Sequence, residues 1–385
     1  MPSSSPRCIP HFVWVQRLLA LCLISFPGYS SAGIAEFNAA AQAGDYVAAA
    51  RETASAWESY DKSRDSAVTI AREFAFVNYL AGDFEAAAGF IAHLVDDGAL
   101  TARDDQPLTS RVLAALAQWR VDASEDNRRS LLQRLQERAA DPSVDNITLL
   151  AAEELYNDDW MQGRTSEVAA SASQAIEFFD RTDGLFLVHK RRAQLIANAA
   201  DFITSRSDSS YVRFGEVHNA IVADVDSEID ESQRQALIPL KWIAQAWAFA
   251  AASYFNSLDA RAGTEDDYEG PNPVIESSKF GHFYENANVG SDLPLCDFQL
   301  EGRVNYPSSA VWRGLVGAVI FKMDVDERGR GSNVSILASV PAGNFGDSVL
   351  KAESRFRITA LKGEDTDACQ LQRKDQVAIV RFAIR

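Results

Sequence analysis

The chain has 385 residues, a formal net charge of −17 at neutral pH, and 47% hydrophobic against 24% charged residues. Those proportions bury a sizeable core and leave room for two domains. The excess of 54 acidic over 37 basic residues excludes nucleic acid or an anionic membrane surface as the main partner and leaves basic or neutral protein partners open.

The first 32 residues have the order of a secretory signal. Arg7 and Arg17 precede the apolar run Leu18 to Phe26, the breakers Pro27 and Gly28 follow, and Ser30, Ser31 and Ala32 make a small-residue cleavage site before Gly33. An uncleaved membrane anchor is the competing reading. The apolar run is short for a span of about 30 Å of hydrocarbon, so export with cleavage after Ala32 is the expectation. Cys8 and Cys22 fall in this leader, which leaves Cys296 and Cys369 in the mature chain. Two cysteines in an oxidising compartment are expected to form a disulfide, with two buried free thiols as the alternative.

Residues 33–262 read as almost entirely helical, rich in Ala, poor in Pro and apolar at every third or fourth position. "AGDYVAAA" (43–50) and "AGDFEAAA" (81–88) agree at six of eight positions, 38 residues apart, and "QGRTSEVAASA" from Gln162 is a looser echo. Helix, Gly-Asp turn, helix at a fixed period is the pattern of a stacked helical array, with Gly closing one helix and Asp capping the next. This is similar to tetratricopeptide-type repeats, although the period exceeds that family's; an irregular helical bundle is the plainer reading. Trp242, Trp247 and Phe255 in "LKWIAQAWAFAAASYF" are expected in a core, Pro239 to start or kink that helix, and Arg128 and Arg129 on a solvated basic face.

Residues 263–292 form an acidic stretch with Gly, Pro and Asn and no period, which reads as a connector to a last domain over 293–385. There the pattern is strand, short helix, two strands, helix, strand. Val319, Phe321, Met323 and Val325 share a strand face, "DERGRG" (326–331) turns the chain, and Val334, Ile336 and Ala338 are expected on the core face of the return. Phe345 to Arg357 has helical spacing, and Gln376 to Ile384 alternates again. The expected fold class is therefore α followed by α+β: helical repeats, then a three-stranded antiparallel sheet covered by a helix.

Five pieces of residues 304–385 occur in the order found in the C-terminal domain of TonB, and this part of the chain resembles that family. They are "YPSSAVWRGLVG" with Tyr306, Pro307 and Gly317, "VIFKMDVDERGRGSNVSIL" with Gly329, "SVP", "FGDSVLKAESRF" ending at Phe356, and "VAIVRFAI". The resemblance implies a periplasmic protein–protein interaction domain engaging outer-membrane transporters or an envelope complex. It also implies that the last strand, Gln376, Val377, Ala378, Ile379, Val380, Arg381 and Phe382, takes an extended peptide by strand addition. A Cys296–Cys369 bridge would staple the segment before Tyr306 to the loop before that strand. The family's Pro-rich spacer is missing. A membrane-anchored energy transducer and a structural envelope protein that homodimerises through this strand are the alternatives.

No pattern points to catalysis. The five histidines are scattered without metal-ligand spacing, "GDS" at 346–348 reads as a helix start, and the acids around Asp324 and Asp326 lack the remaining ligands of a calcium loop. No enzyme, metal or cofactor is expected.

Overall fold

A computed structural model describes residues 34–96, 98–206, 208–262, 298–313, 315–360 and 373–382. The expected leader (1–32), the expected connector (263–292), Cys296, Cys369 and Ile384 lie outside these residues. Two compact units result, residues 1–162 with 174–185, and residues 163–173 with 186–385.

From the amino end, α1 (Ile34–Gln42) and α2 (Tyr46–Ser59) pack as one hairpin, and α3 (Ala67–Ala81) and α4 (Phe84–Asp96) as the next. A single turn, α5 (Gly98–Thr101), leads to α6 (Pro107–Val121), α7 (Glu125–Ala139) and α8 (Asn146–Met161). Then follow α9 (Thr165–Asp180), α10 (Leu187–Ser205), α11 (Asp208–Val225) and α12 (Glu231–Ala262), which runs through Pro239. Among the described residues no helix is long and apolar enough to cross a membrane.

The two Gly-Asp turns share one local geometry. Gly44 and Gly82 sit at φ +74° and +83°, where a side chain is costly. Asp45 N–H reaches back to Ala40 O and Asp83 N–H to Asn78 O, so the last carbonyls of each first helix are satisfied. Asp45 and Asp83 then accept from Ala48 N–H and Ala86 N–H at 2.9 and 3.0 Å, capping the second helix. Inside the first unit Phe37 meets Phe74 edge-on at 4.7 Å, and Trp57 and Phe90 close on Phe74 at 6.4 and 5.7 Å.

Arg128 departs from expectation. It is buried, and its guanidinium grips Asp159 with bonds of 2.6 and 2.7 Å, while Arg129 is the exposed one and pairs with Asp126. A carboxylate 31 residues away pulls Arg128 inward, which no local spacing announces.

In the second unit Phe214 stacks on Trp247 at 5.6 Å, and Phe202 packs edge-on against both rings and against Phe255. The last part of the chain contains β1 (Phe298–Glu301), α13 (Ser308–Trp312), β2 (Gly317–Val325), β3 (Gly331–Val340), α14 (Asn344–Leu350), β4 (Arg357–Ala360) and β5 (Gln376–Phe382). The order β3-β2-β5 makes an antiparallel three-stranded sheet, and β1 pairs with β4 in a separate antiparallel ribbon.

Three local expectations are corrected here. The helix from Phe345 stops at Leu350 rather than running to Arg357; a 3₁₀ turn over Glu353–Arg355 follows, and Phe356 enters extended backbone so that Arg357–Ala360 can pair with β1. Asp347 and Ser348 are not the cap of that helix: Gly343 holds the cap position, and Gly346 N–H donates to Ser339 Oγ at 3.1 Å. Ala338 does not share a face with Val334 and Ile336. The register shifts between Phe321↔Ile336 and Ile320↔Ala338, so the ladder skips Leu337 and β3 changes faces there.

That shift gives the sheet two apolar faces. On one, Val319, Phe321, Met323 and Val325 join Phe345, Val349, Phe356, Ala378 and Phe382 in a core under α14. On the other, Ala318, Ile320, Ala338 and Val340 are buried as well, and α12 packs against all three strands.

Candidate partner-binding edge

Among the described residues β5 pairs with β2 alone. Its register runs from Gly317↔Phe382 to Met323↔Gln376. Facing pairs put Gln376, Ala378, Val380 and Phe382 on the α14 side and Val377, Ile379 and Arg381 on the α12 side. The start of the strand is tied down by crossed ion pairs, Lys322–Asp375 at 2.7 Å and Lys374–Asp324 at 3.0 Å. Asn333 and Lys374 donate to Asp324, which holds its carboxyl below the usual range and keeps that clamp charged.

The two outer edges of the sheet differ. Beside β3, Val334 N–H donates to Glu353 and Gly331 N–H to Phe356 O, so the 353–358 segment covers part of that edge. Beside β5 no strand pairs among the described residues, and alternate residues of the strand turn their N–H and C=O groups outward.

Next to this edge lies a groove of about 320 Å³ lined by Leu300, Gly302, Val304, Tyr306, Phe356 and β5 residues Ile379 to Phe382. Its floor is aromatic. Tyr306 stands edge-on to Phe345 and Phe382 at 5.9 and 5.5 Å, Phe345 packs on Phe382 at 4.7 Å, and Phe356 stacks on Phe321 at 5.1 Å. The Tyr306 hydroxyl donates to Leu315 O, and burial raises its pKa, so it stays protonated and fixed. Pro307 is buried and caps α13. Gly317 leaves room for the Phe345 ring, since a Cβ there would lie 2.8 Å from it. Gly329, at φ +75°, closes the β2–β3 turn, whose backbone Asp326 holds through Arg328 N–H and Arg330 N–H, each at 2.8 Å.

The sequence reading names β5, Tyr306 and Phe356, and the fold brings all three to this groove. It missed Leu300, Gly302 and Val304, which form the opposite wall; the available signal was the alternation of Phe298 and Leu300 before a glycine. Gly302 is required by contact, because a Cβ would lie 2.8 Å from the Phe356 ring. Arg381 is exposed at the rim and forms no ion pair among the described residues. Among those residues no group of three or more His, Cys, Asp or Glu side chains is placed to hold a metal ion.

No protein-family model matches the chain, and no curated protein matches it in sequence.

Proposed function

We propose that the protein is an exported adaptor that captures an extended segment of another protein along the outer edge of β5. The observation that carries this is the edge of β5, which no strand pairs among the described residues, lying beside an apolar groove with Arg381, which forms no ion pair among those residues, at its rim. Backbone groups of the edge supply hydrogen bonds, the groove between Val304, Tyr306 and Val380 takes an apolar side chain, and Arg381 favours an acidic one. The TonB-like order of motifs over 304–385 supports the same reading and favours a partner in the envelope, among outer-membrane transporters or their complexes. The helical part, read as tetratricopeptide-like hairpins on the strength of two matching Gly-Asp turns, offers a surface for a second partner.

The test is amide chemical-shift mapping with synthetic six-residue peptides that alternate Val with Thr and carry one Glu. Shifts confined to 300–306 and 376–382 are expected, with affinity reduced roughly tenfold in Arg381→Glu and partly restored when the peptide's Glu becomes Lys. Shifts spread over the helices, or none at millimolar peptide, would overturn the assignment. A mass that doubles with concentration and broadens the β5 amides would point to pairing between two copies instead.

A further inference from the structure

In the first unit, Glu73 on α3 lines a small cavity of about 10 Å³, its walls otherwise made by Ile34, Phe37 and Asn38 of α1 and by Ile70 and Phe74 of α3. None of those five neighbours is titratable. Ile34 and Phe37 are buried, and Phe37 is the residue that seats α1 edge-on against Phe74. Among the described residues the Glu73 carboxyl has no hydrogen-bond or ion-pair partner. Arg72 is the charge among the described residues that acts on it, and Arg72 is already committed to Asp104 at 2.9 Å and Asp105 at 3.2 Å. On the elements around α3, Glu36 of α1, Arg51 of α2, Glu85 and His93 of α4 and Arg111 of α6 are exposed, Glu52 of α2 is half-buried, and α2 turns Tyr46, Thr53 and Trp57 inward.

We propose that Glu73 is a protonation latch for the first helix: neutral, it completes the apolar seam between α1 and α3; ionised, it loosens α1 from that seam. Physically, Glu73 is half-buried, so an ionised carboxylate at this cavity keeps only part of the hydration it would have in water, and it regains the rest when α1 lifts away. Burial, partly offset by Arg72, raises its pKa from the ordinary 4.5 to about 7. The docked state thus binds more protons than the undocked one between these two values. Docking is strongest below the ordinary value, weakens as pH rises through the window, and stays weak above about 7.

Hydrogen exchange on the whole protein, with rates corrected for the intrinsic effect of pH, reads this directly. Amides of Asn38 to Gln42 are expected to lose protection on the order of tenfold between pH 5.5 and 8.5, while amides of α8 in the same molecules hold theirs. In Glu73→Gln the α1 amides keep their protection at both pH values. Equal protection of wild-type α1 at the two pH values, or none at either, overturns the latch. So does a loss shared by α8, which marks global unfolding, or a loss that persists in Glu73→Gln.

Discussion

Arg128 illustrates how far one residue's fate is set outside its own helix. In sequence it sits at i+3 from Glu125 and beside Arg129, the ordinary look of a solvated face. In the fold its side chain and that of Asp159 are 4% and 0% exposed and bond twice. A buried pair of this kind costs desolvation on both sides, so its net contribution to stability is small, but removing one partner strands the other. Asp159→Ala is expected to lower unfolding stability by about 3–5 kcal/mol in urea titrations. The double change Arg128→Met with Asp159→Leu is expected to recover most of that loss. Additive losses in the double variant would mean that the pair does more than satisfy itself. What could be read locally was the helix itself, whose cap is Ser124 accepting from Asn127 N–H at 3.4 Å; the depth of Arg128 depended on a helix thirty residues on.

At the scale of elements, the strands were legible because alternation survives in "VIFKMDVDERGRGSNVSIL", and the Gly-Asp hairpins because their turn chemistry is local. The change of face at Leu337 was not, since one skipped residue leaves composition and period nearly intact while swapping the sides of Ala338 and Ile336. β4 escaped for a related reason: a strand of four residues barely exceeds the noise of alternation, so the strand expected before the short helix was left without its partner. Tight approach is the signature that sequence carries only as glycine. Gly317 has the Phe345 ring and Val340 O both 2.8 Å from where a Cβ would lie. Gly317→Ala is therefore expected to cost about 1–3 kcal/mol, seen as a lowered urea midpoint, and to shift the Phe345, Tyr306 and Phe382 ring resonances together. A midpoint unchanged from wild type would show that the groove floor yields without strain.

For the molecule as a whole, the telling element is α12. A peptide-pairing domain with one solvated sheet face would be portable, and the sequence over 293–385 reads that way, with Lys322 and Asp324 alternating among the apolar residues of β2. The structure instead buries Ala318, Ile320, Ala338, Val340 and Val377 on that face, with α12 across the three strands. Burying apolar surface is worth roughly 25 cal/mol per Å², so uncovering five such side chains leaves an adhesive patch. The fragment 293–385 is therefore expected to self-associate at micromolar concentration and to bind a hydrophobic dye, whereas 187–385 remains monomeric by light scattering. Both fragments keep the β5 edge, so association through that edge would appear in both, and association through the uncovered face only in the shorter one. A monomeric 293–385 that melts at the temperature of 187–385 would make α12 an incidental neighbour and return the sheet to independence. The expected result makes the helical part more than a carrier, because the strand that pairs with a partner would then be held in shape by a helix from the other side of the connector.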